Sequence, residues 1–434
     1  MSAHRLKLAL AVMLVIAAGL AFLDGRRSEP VSSPNGVGPV AVKQENQIHR
    51  SVHTLQDRLH RVPNDDQGWA QLGAAYVELS RVTADATYYS KAQGALDKSM
   101  SLKPNGLAMI GLGQLANARH DFAAARDWGQ KALQALPSNA EAHGVLADAL
   151  TQLGDDAGAS QTIQRMLDLK PNTASFSRAS YHYELHGDVA GAEDAMRRAL
   201  AAASTPDEVA FCRYRLGELA FDNGRVDEAS DHYDQGLRAR EDDMALTQGK
   251  AKVAAARGDV VIAIDSYQKL VERAPVPQYV VEYAELLESA GRKDEADQQY
   301  AVLSEQQRLM ESEGASDDLS AAMVAADRGD GMQALRHAEA EWSRRQSVFV
   351  ADAMAWALHR NGRDAEALAY ADKASALGWR NATFAYHRGM ILAALGRAAE
   401  AEQALVEALK LNPHFSPLYA LTAGRKLAEL RGGR

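Results

Sequence analysis

From about residue 66 to residue 413, apolar side chains recur at intervals of three and four, which places them along one face of an α-helix. Leu405, Ala408 and Leu409, just ahead of Pro413, form one such face, and Ile48, Val52, Leu55 and Leu59, ahead of Pro63, form another. Glycines punctuate the pattern. Gly154, Gly187, Gly224, Gly258, Gly291, Gly329, Gly362 and Gly396 are each followed five residues later by alanine, and successive pairs lie 33 to 38 residues apart. A period of that length predicts one helix–turn–helix unit per repeat. The glycine supplies the left-handed backbone that ends the first helix; the alanine marks the point where the two helices cross most closely. Pro104, Pro137, Pro171, Pro275 and Pro413 close several units, because proline stops a helix or opens the next. Ten units are predicted, starting near Asp66, Gly106, Ala140, Thr173, Ala210, Met244, Pro277, Ala315, Val348 and Ala382. A helix over residues 46–63 and the segment 414–434 cap the repeats (about 66–413), as an open stack requires for solubility.

The first 45 residues follow a different pattern. His4, Arg5 and Lys7 precede an uncharged apolar run from Leu8 to Leu23. Sixteen helical residues span about 24 Å, short of the roughly 30 Å hydrocarbon core of a bilayer. Residues 1–27 read either as a cleaved signal peptide, with Gly19-Leu20-Ala21 as its small-x-small site, or as an uncleaved signal anchor. Both readings export the remainder: periplasmic, extracellular, or membrane-anchored and facing outward. Residues 28–45, rich in Ser, Pro and Gly, read as a flexible linker. Membrane contact is expected only through this N-terminal segment.

Composition narrows the function. Hydrophobic residues make up 47 % and aromatics only 6 %, a balance that suits closely packed helices. The formal charge of −9 argues against a nucleic-acid binder, which needs a basic surface for phosphates. Cys212 is the single cysteine, so no intrachain disulfide forms; beside Phe211 and Tyr214 it reads as a packed side chain.

Trp69, Leu72, Gly73 and Tyr76, followed by Ala92, Leu96 and Pro104, run in the order of the tetratricopeptide repeat (TPR) motif. Leu216-Gly217 with Ala229 and Tyr233, and Gly389 with Ala401, Leu405, Ala408 and Pro413, repeat it. The chain resembles the TPR family, and the resemblance covers about 370 residues. It implies an all-α fold, a right-handed α-solenoid of about ten TPR helix–turn–helix units with capping helices. It also implies protein or peptide binding in a concave groove lined by the first helix of each unit. Two departures stand out: an insertion near Ser80 to Thr87, and His120 where the other turns carry glycine.

By the family register, groove positions carry eleven acids, Glu184, Glu218, Asp222, Glu282, Glu285 and Asp327 among them, against four bases, Arg178, Arg215, Lys252 and Arg360. That bias predicts a basic or amphipathic partner segment. One TPR subclass grips a C-terminal carboxylate with Lys and Asn; here Ala70, Ala74, Ile110, Gln114, Gly144 and Asp148 stand at the corresponding places. The sharpest candidate patch joins Asp352, Trp356 and His359 of unit nine to Tyr386, His387 and Met390 of unit ten, a tryptophan flanked by ionisable groups in the manner of a binding hot spot. Glu218 and Glu285 are the further candidates.

The segment YHYELHG places His182 and His186 four residues apart, on one face of a helix. The zinc-peptidase motif has glutamate directly after the first histidine, whereas Glu184 is second and projects about 200° away. Two ligands fall short of the three protein ligands of a catalytic zinc. No phosphate-binding glycine loop or nucleophile elbow is present, and the repeats leave no room for a catalytic domain. The expected function is a non-enzymatic interaction scaffold of the cell envelope without cofactor or metal, self-association being open. Two alternatives remain: a chaperone-like protein of the cytochrome c maturation type, because VPNDDQGWAQLGAAYVEL is similar to the TPR segment of those proteins, and an envelope metal-handling accessory drawing on the thirteen histidines.

Overall fold

A computed structural model describes residues 40–432 apart from 84, 313, 314 and 316. Residues 1–27, read from the sequence as a signal peptide or signal anchor, and the first part of the expected linker lie outside the described residues. The capping helix α1 (Val40–Arg61) takes in the last six residues assigned to the linker. Among the described residues there are 22 helices and no strand.

Units one to three are α2 (Asp66–Thr83) with α3 (Thr87–Leu102), α4 (Gly106–Ala118) with α5 (Phe122–Ala135), and α6 (Ala140–Leu153) with α7 (Asp156–Leu169). Units four to six are α8 (Thr173–Leu185) with α9 (Val189–Ala201), α10 (Pro206–Asp222) with α11 (Val226–Ala239), and α12 (Met244–Ala256) with α13 (Val260–Arg273). Units seven and eight are α14 (Pro277–Ser289) with α15 (Lys293–Ser312), and α16 (Asp318–Asp327) with α17 (Gly331–Arg344). Units nine and ten are α18 (Val348–Arg360) with α19 (Asp364–Ala374), and α20 (Ala382–Ala394) with α21 (Ala398–Leu411); α22 (Tyr419–Gly432) closes the array.

Units five and eight start at Pro206 and Asp318, away from the Ala210 and Ala315 read from the sequence, and capping explains both shifts. Thr205 accepts a hydrogen bond from the Glu208 amide while the Glu208 carboxylate accepts from the Thr205 amide, and Pro206 fills the first helical position. Asp317 caps α16 by accepting from the Ser320 amide.

All eight turn glycines have positive φ, from 70° to 85°. His120 adopts the same conformation in unit two, at φ 61°, with its ring stacked on Phe122 at 5.5 Å. The alanines five residues on (Ala159 through Ala401) are each 1 % exposed or less, so the helix crossings are closed to solvent. A second close approach lies within the units. A Cβ on Gly217 would meet the Tyr233 ring, which Gly249 of the next unit clamps from its other side.

The stack winds tightly enough to touch itself. Arg345, after α17, donates to Gln152 at the end of α6, 193 residues away in sequence, and its guanidinium lies 4.7 Å from the Phe122 ring. Gly154 abuts the Gln346 carbonyl, Gly187 the Gly378 carbonyl and Gly224 the Leu411 carbonyl. Tyr181 stacks on Phe349 at 6.5 Å, and Met310 and Ala315 pack into the core of unit one with Tyr89 and Leu79. The turns of units one to five therefore rest on the joints that follow units seven to ten. A seam joins consecutive superhelical turns, and the space lined by the first helices is the lumen. No helix of the described residues is long and apolar enough to cross a membrane.

Candidate functional site

The lumen is built by first helices stacked one unit after the next, so residues about one period apart become neighbours. Arg178 of α8 holds Asp148 of α6 with two hydrogen bonds of 2.8 and 2.7 Å. Arg215 of α10 donates to Glu184 of α8 at 2.8 Å, and Lys252 of α12 donates to Glu218 of α10 at 2.8 Å. Tyr233 adds a 2.6 Å hydrogen bond to Glu218, and Gln248 one of the same length to Glu282. Three of the four groove bases are thus each tied to an acid of the preceding unit.

The remaining acids are left in excess. Asp222 is exposed to lumen solvent that protein encloses on most sides, and it forms no salt bridge among the described residues. Loss of bulk water, with Glu218 and Glu184 nearby, pushes its carboxyl up to about 7 against the pull of Lys252. Glu285 of α14 accepts from Ser416, at the start of the C-terminal cap, at 2.7 Å. Desolvation first, then Asp327, Glu282 and Glu288, push Glu285 up to about 8. A cleft opens at the seam beside this strip, lined by Glu184 and Asp222 from one superhelical turn and Trp379, Arg380, Asn381, Thr383 and Phe415 from the next. Chemically, the face lined by the first helices carries carboxyls in excess, while Arg178, Arg215 and Lys252 are already engaged.

Sequence models of the tetratricopeptide repeat match residues 89–179, 214–277 and 382–415. The chain is a tetratricopeptide-repeat protein. No curated protein matches it. Among solved structures, a thermophilic TPR protein of Thermus thermophilus is 22 % identical, covering 44 % of this chain and 98 % of that one with a TM-score of 0.38. The human IFIT1 dimer with PPP-AAAA is 15 % identical, covering 85 % and 88 %, with a TM-score of 0.47. The APC/C hetero-tetramer Cut9-Hcn1 is 11 % identical, covering 90 % and 94 %, with a TM-score of 0.41. TPR arrays generally serve as protein–protein interaction scaffolds, typically without catalysis, and that class of function follows from the repeat itself.

Within the TPR array, the patch read from units nine and ten does assemble, but as interior. Asp352 and Trp356 are 3 % exposed, Tyr386 2 % and His387 1 %. His387 Nδ1 lies 2.9 Å from Asp352, its ring stacks on Trp356 at 4.2 Å, and the indole N–H donates to Asp327 at 2.8 Å. His359 stacks on Trp356 at 5.0 Å and bonds Asp364, and Met390 packs against the same core. These groups are spent on one another, so Trp356 is a core side chain and the reading of an open hot spot is corrected. Glu218 is likewise buried and ion-paired, whereas Glu285 remains in the lumen strip. Cys212 is fully buried, and burial pushes its thiol up to about 12, far from nucleophilic character.

His182 and His186 stand in the last turn and at the C-cap of α8, and a residue missing from the sequence reading joins them: Asp156, at the first position of α7. Its carboxylate lies 3.1 Å from His186 Nε2 and 3.8 Å from His182 Nδ1. The sequence held a signal for it. Asp156 follows the turn glycine of unit three by two residues and His186 precedes that of unit four by one, so stacking the units brings them together.

Proposed function

We propose that this TPR protein is a non-catalytic scaffold of the cell envelope that takes a basic segment of a partner protein into its acidic lumen. The observation that carries the reading is the lumen's charge balance: Arg178, Arg215 and Lys252 are each committed to an acid, while Asp222 and Glu285 have no cation bound. A lysine or arginine entering the lumen meets carboxyls raised first by desolvation and then by neighbouring acids, and it favours their ionised form. Long-range attraction steers such a segment toward the lumen, and the seam cleft beside Asp222 offers a way in. The envelope assignment is supported by the apolar run Leu8–Leu23 and its cationic flank. Protease accessibility of a C-terminal tag on intact and permeabilised cells tests it, a tag protected in the intact spheroplast arguing against export.

Binding is tested by fluorescence anisotropy with a Lys/Arg-rich peptide and the same peptide rewritten with glutamate. The basic peptide is expected to bind, to weaken with added salt, and to lose about tenfold or more in affinity in the Asp222→Asn/Glu285→Gln protein. Equal binding of both peptides, or no change in the double variant, removes the reading.

A further inference from the structure

The cluster of Asp156, His182 and His186 lies where α7 begins and α8 ends, and the scaffold function makes no use of it. Each residue offers one donor atom, and the three donors lie within 4.8 Å of one another. Asp156 and His186 are about one-third exposed (37 % and 32 %) and His182 is more enclosed (17 %), so the three donors have an open side toward solvent.

The hydrogen bonds fix the chemistry further. His186 Nδ1 stands 2.7 Å from the backbone carbonyl of His182, an acceptor, so this nitrogen carries the proton. In the neutral ring Nε2 then presents a lone pair, and it points at the Asp156 carboxylate 3.1 Å away, a second lone-pair group. Two acceptors at that distance repel unless a positive charge lies between them. The two imidazole rings lie side by side, with centroids 4.3 Å apart. One cation shared by all three donors satisfies them together. A ring N–H held by a backbone carbonyl is also the arrangement that orients a metal-ligating histidine.

We propose that Asp156, His182 and His186 bind one divalent first-row transition-metal ion of the zinc, nickel or copper class, with water completing the coordination. Donors about 2.0–2.1 Å from a tetrahedral ion stand about 3.4 Å apart; His186 Nε2 is 3.1 Å from one Asp156 oxygen and His182 Nδ1 is 3.8 Å from the other, so small side-chain rotations bring one oxygen into range of both rings. Two imidazoles and a carboxylate suit these ions and not calcium or magnesium, which require an oxygen cage. The ion ties the start of α7 to the end of α8, directly beside the Gly187–Gly378 contact of the seam.

The full-length protein, freed of metal by dialysis against chelator, is titrated with Zn²⁺ in a calorimeter. One ion per chain with micromolar affinity is expected, together with a rise in Tm on Zn²⁺ addition. Asp156→Asn keeps the side-chain shape and leaves the Asp155 N-cap intact; it and His182→Gln are each expected to weaken binding about tenfold or more and to abolish the Tm shift. Cu²⁺ added to the unmutated protein is expected to show hyperfine splitting from two imidazole nitrogens, a readout that does not depend on any variant folding. Zn²⁺ binding that is absent, or unchanged in both variants, overturns the assignment, as does a Cu²⁺ spectrum without two nitrogen ligands. Basic-peptide binding in the lumen is expected to be intact in both variants, which separates this site from the proposed scaffold function.

Discussion

Asp148 and Arg178 show what one charged pair does inside the lumen wall. Both are buried, Arg178 at 2 % exposure, and the bidentate bond between them only partly offsets the desolvation, which leaves the Asp148 carboxyl above its ordinary value. Removing one partner strands the other, so Arg178→Met is expected to cost about 3–5 kcal/mol in a denaturant titration. Replacing both, as Asp148→Leu with Arg178→Met, is expected to recover most of the loss. Recovery by neither apolar pairing nor a charge swap would mean that the guanidinium acts through its packing against Gly144. The sequence named Asp148, Arg178, Glu184 and Arg215 as groove residues by type and register, yet it could not show that each base would satisfy an acid one unit back. That pairing depends on how far each unit turns relative to the last.

At the level of the helix pair, legibility was high because the determinants are local. A turn glycine, an N-cap such as Asn139 or Asp188 and an apolar stripe each act within a few residues. Where the sequence reading slipped, at units five and eight, a polar cap outranked the apolar pattern: Thr205 with Glu208 in one case, Asp317 in the other. The crossing alanines carry the tightest local constraint. Ala263 is fully buried against its neighbours, and Ala263→Leu is expected to cost about 1–3 kcal/mol by forcing α12 and α13 apart. Thermal unfolding of the variant checks this, and an unchanged Tm would show that the crossing has slack.

Across the whole molecule the decisive feature, the seam, was invisible in the sequence, since it joins residues such as Gln152 and Arg345 through the summed rotation of every unit between them. Two glycines isolate its contribution. Gly154 (φ 83°) and Gly396 (φ 72°) share a left-handed backbone, but a Cβ on Gly154 meets the Gln346 carbonyl at 2.8 Å while one on Gly396 meets nothing within 4 Å. Alanine at Gly396 is expected to cost about 1 kcal/mol of backbone strain. Alanine at Gly154 is expected to cost measurably more, and equal losses would show that the seam contributes no stability. The lumen acids add a pH dependence. The Glu285 carboxyl, raised from an ordinary 4.5 to about 8, keeps a proton in the folded chain that the unfolded chain releases. Its contribution to stability therefore falls as pH climbs between those values. Glu285→Gln is expected to raise Tm above pH 8 and to leave it unchanged near pH 4; a gain of equal size at both would assign the effect to packing.

The self-contact of successive turns also has a mechanical meaning. An open solenoid stretches as a soft spring, each coil moving freely past the next. Here the coils are latched where Gly154, Gly187 and Gly224 rest on the later joints. Pulled from its two ends, the molecule is expected to resist until the latches slip in succession and only then to lengthen like a spring. When released, it should click back into register with every helix still folded.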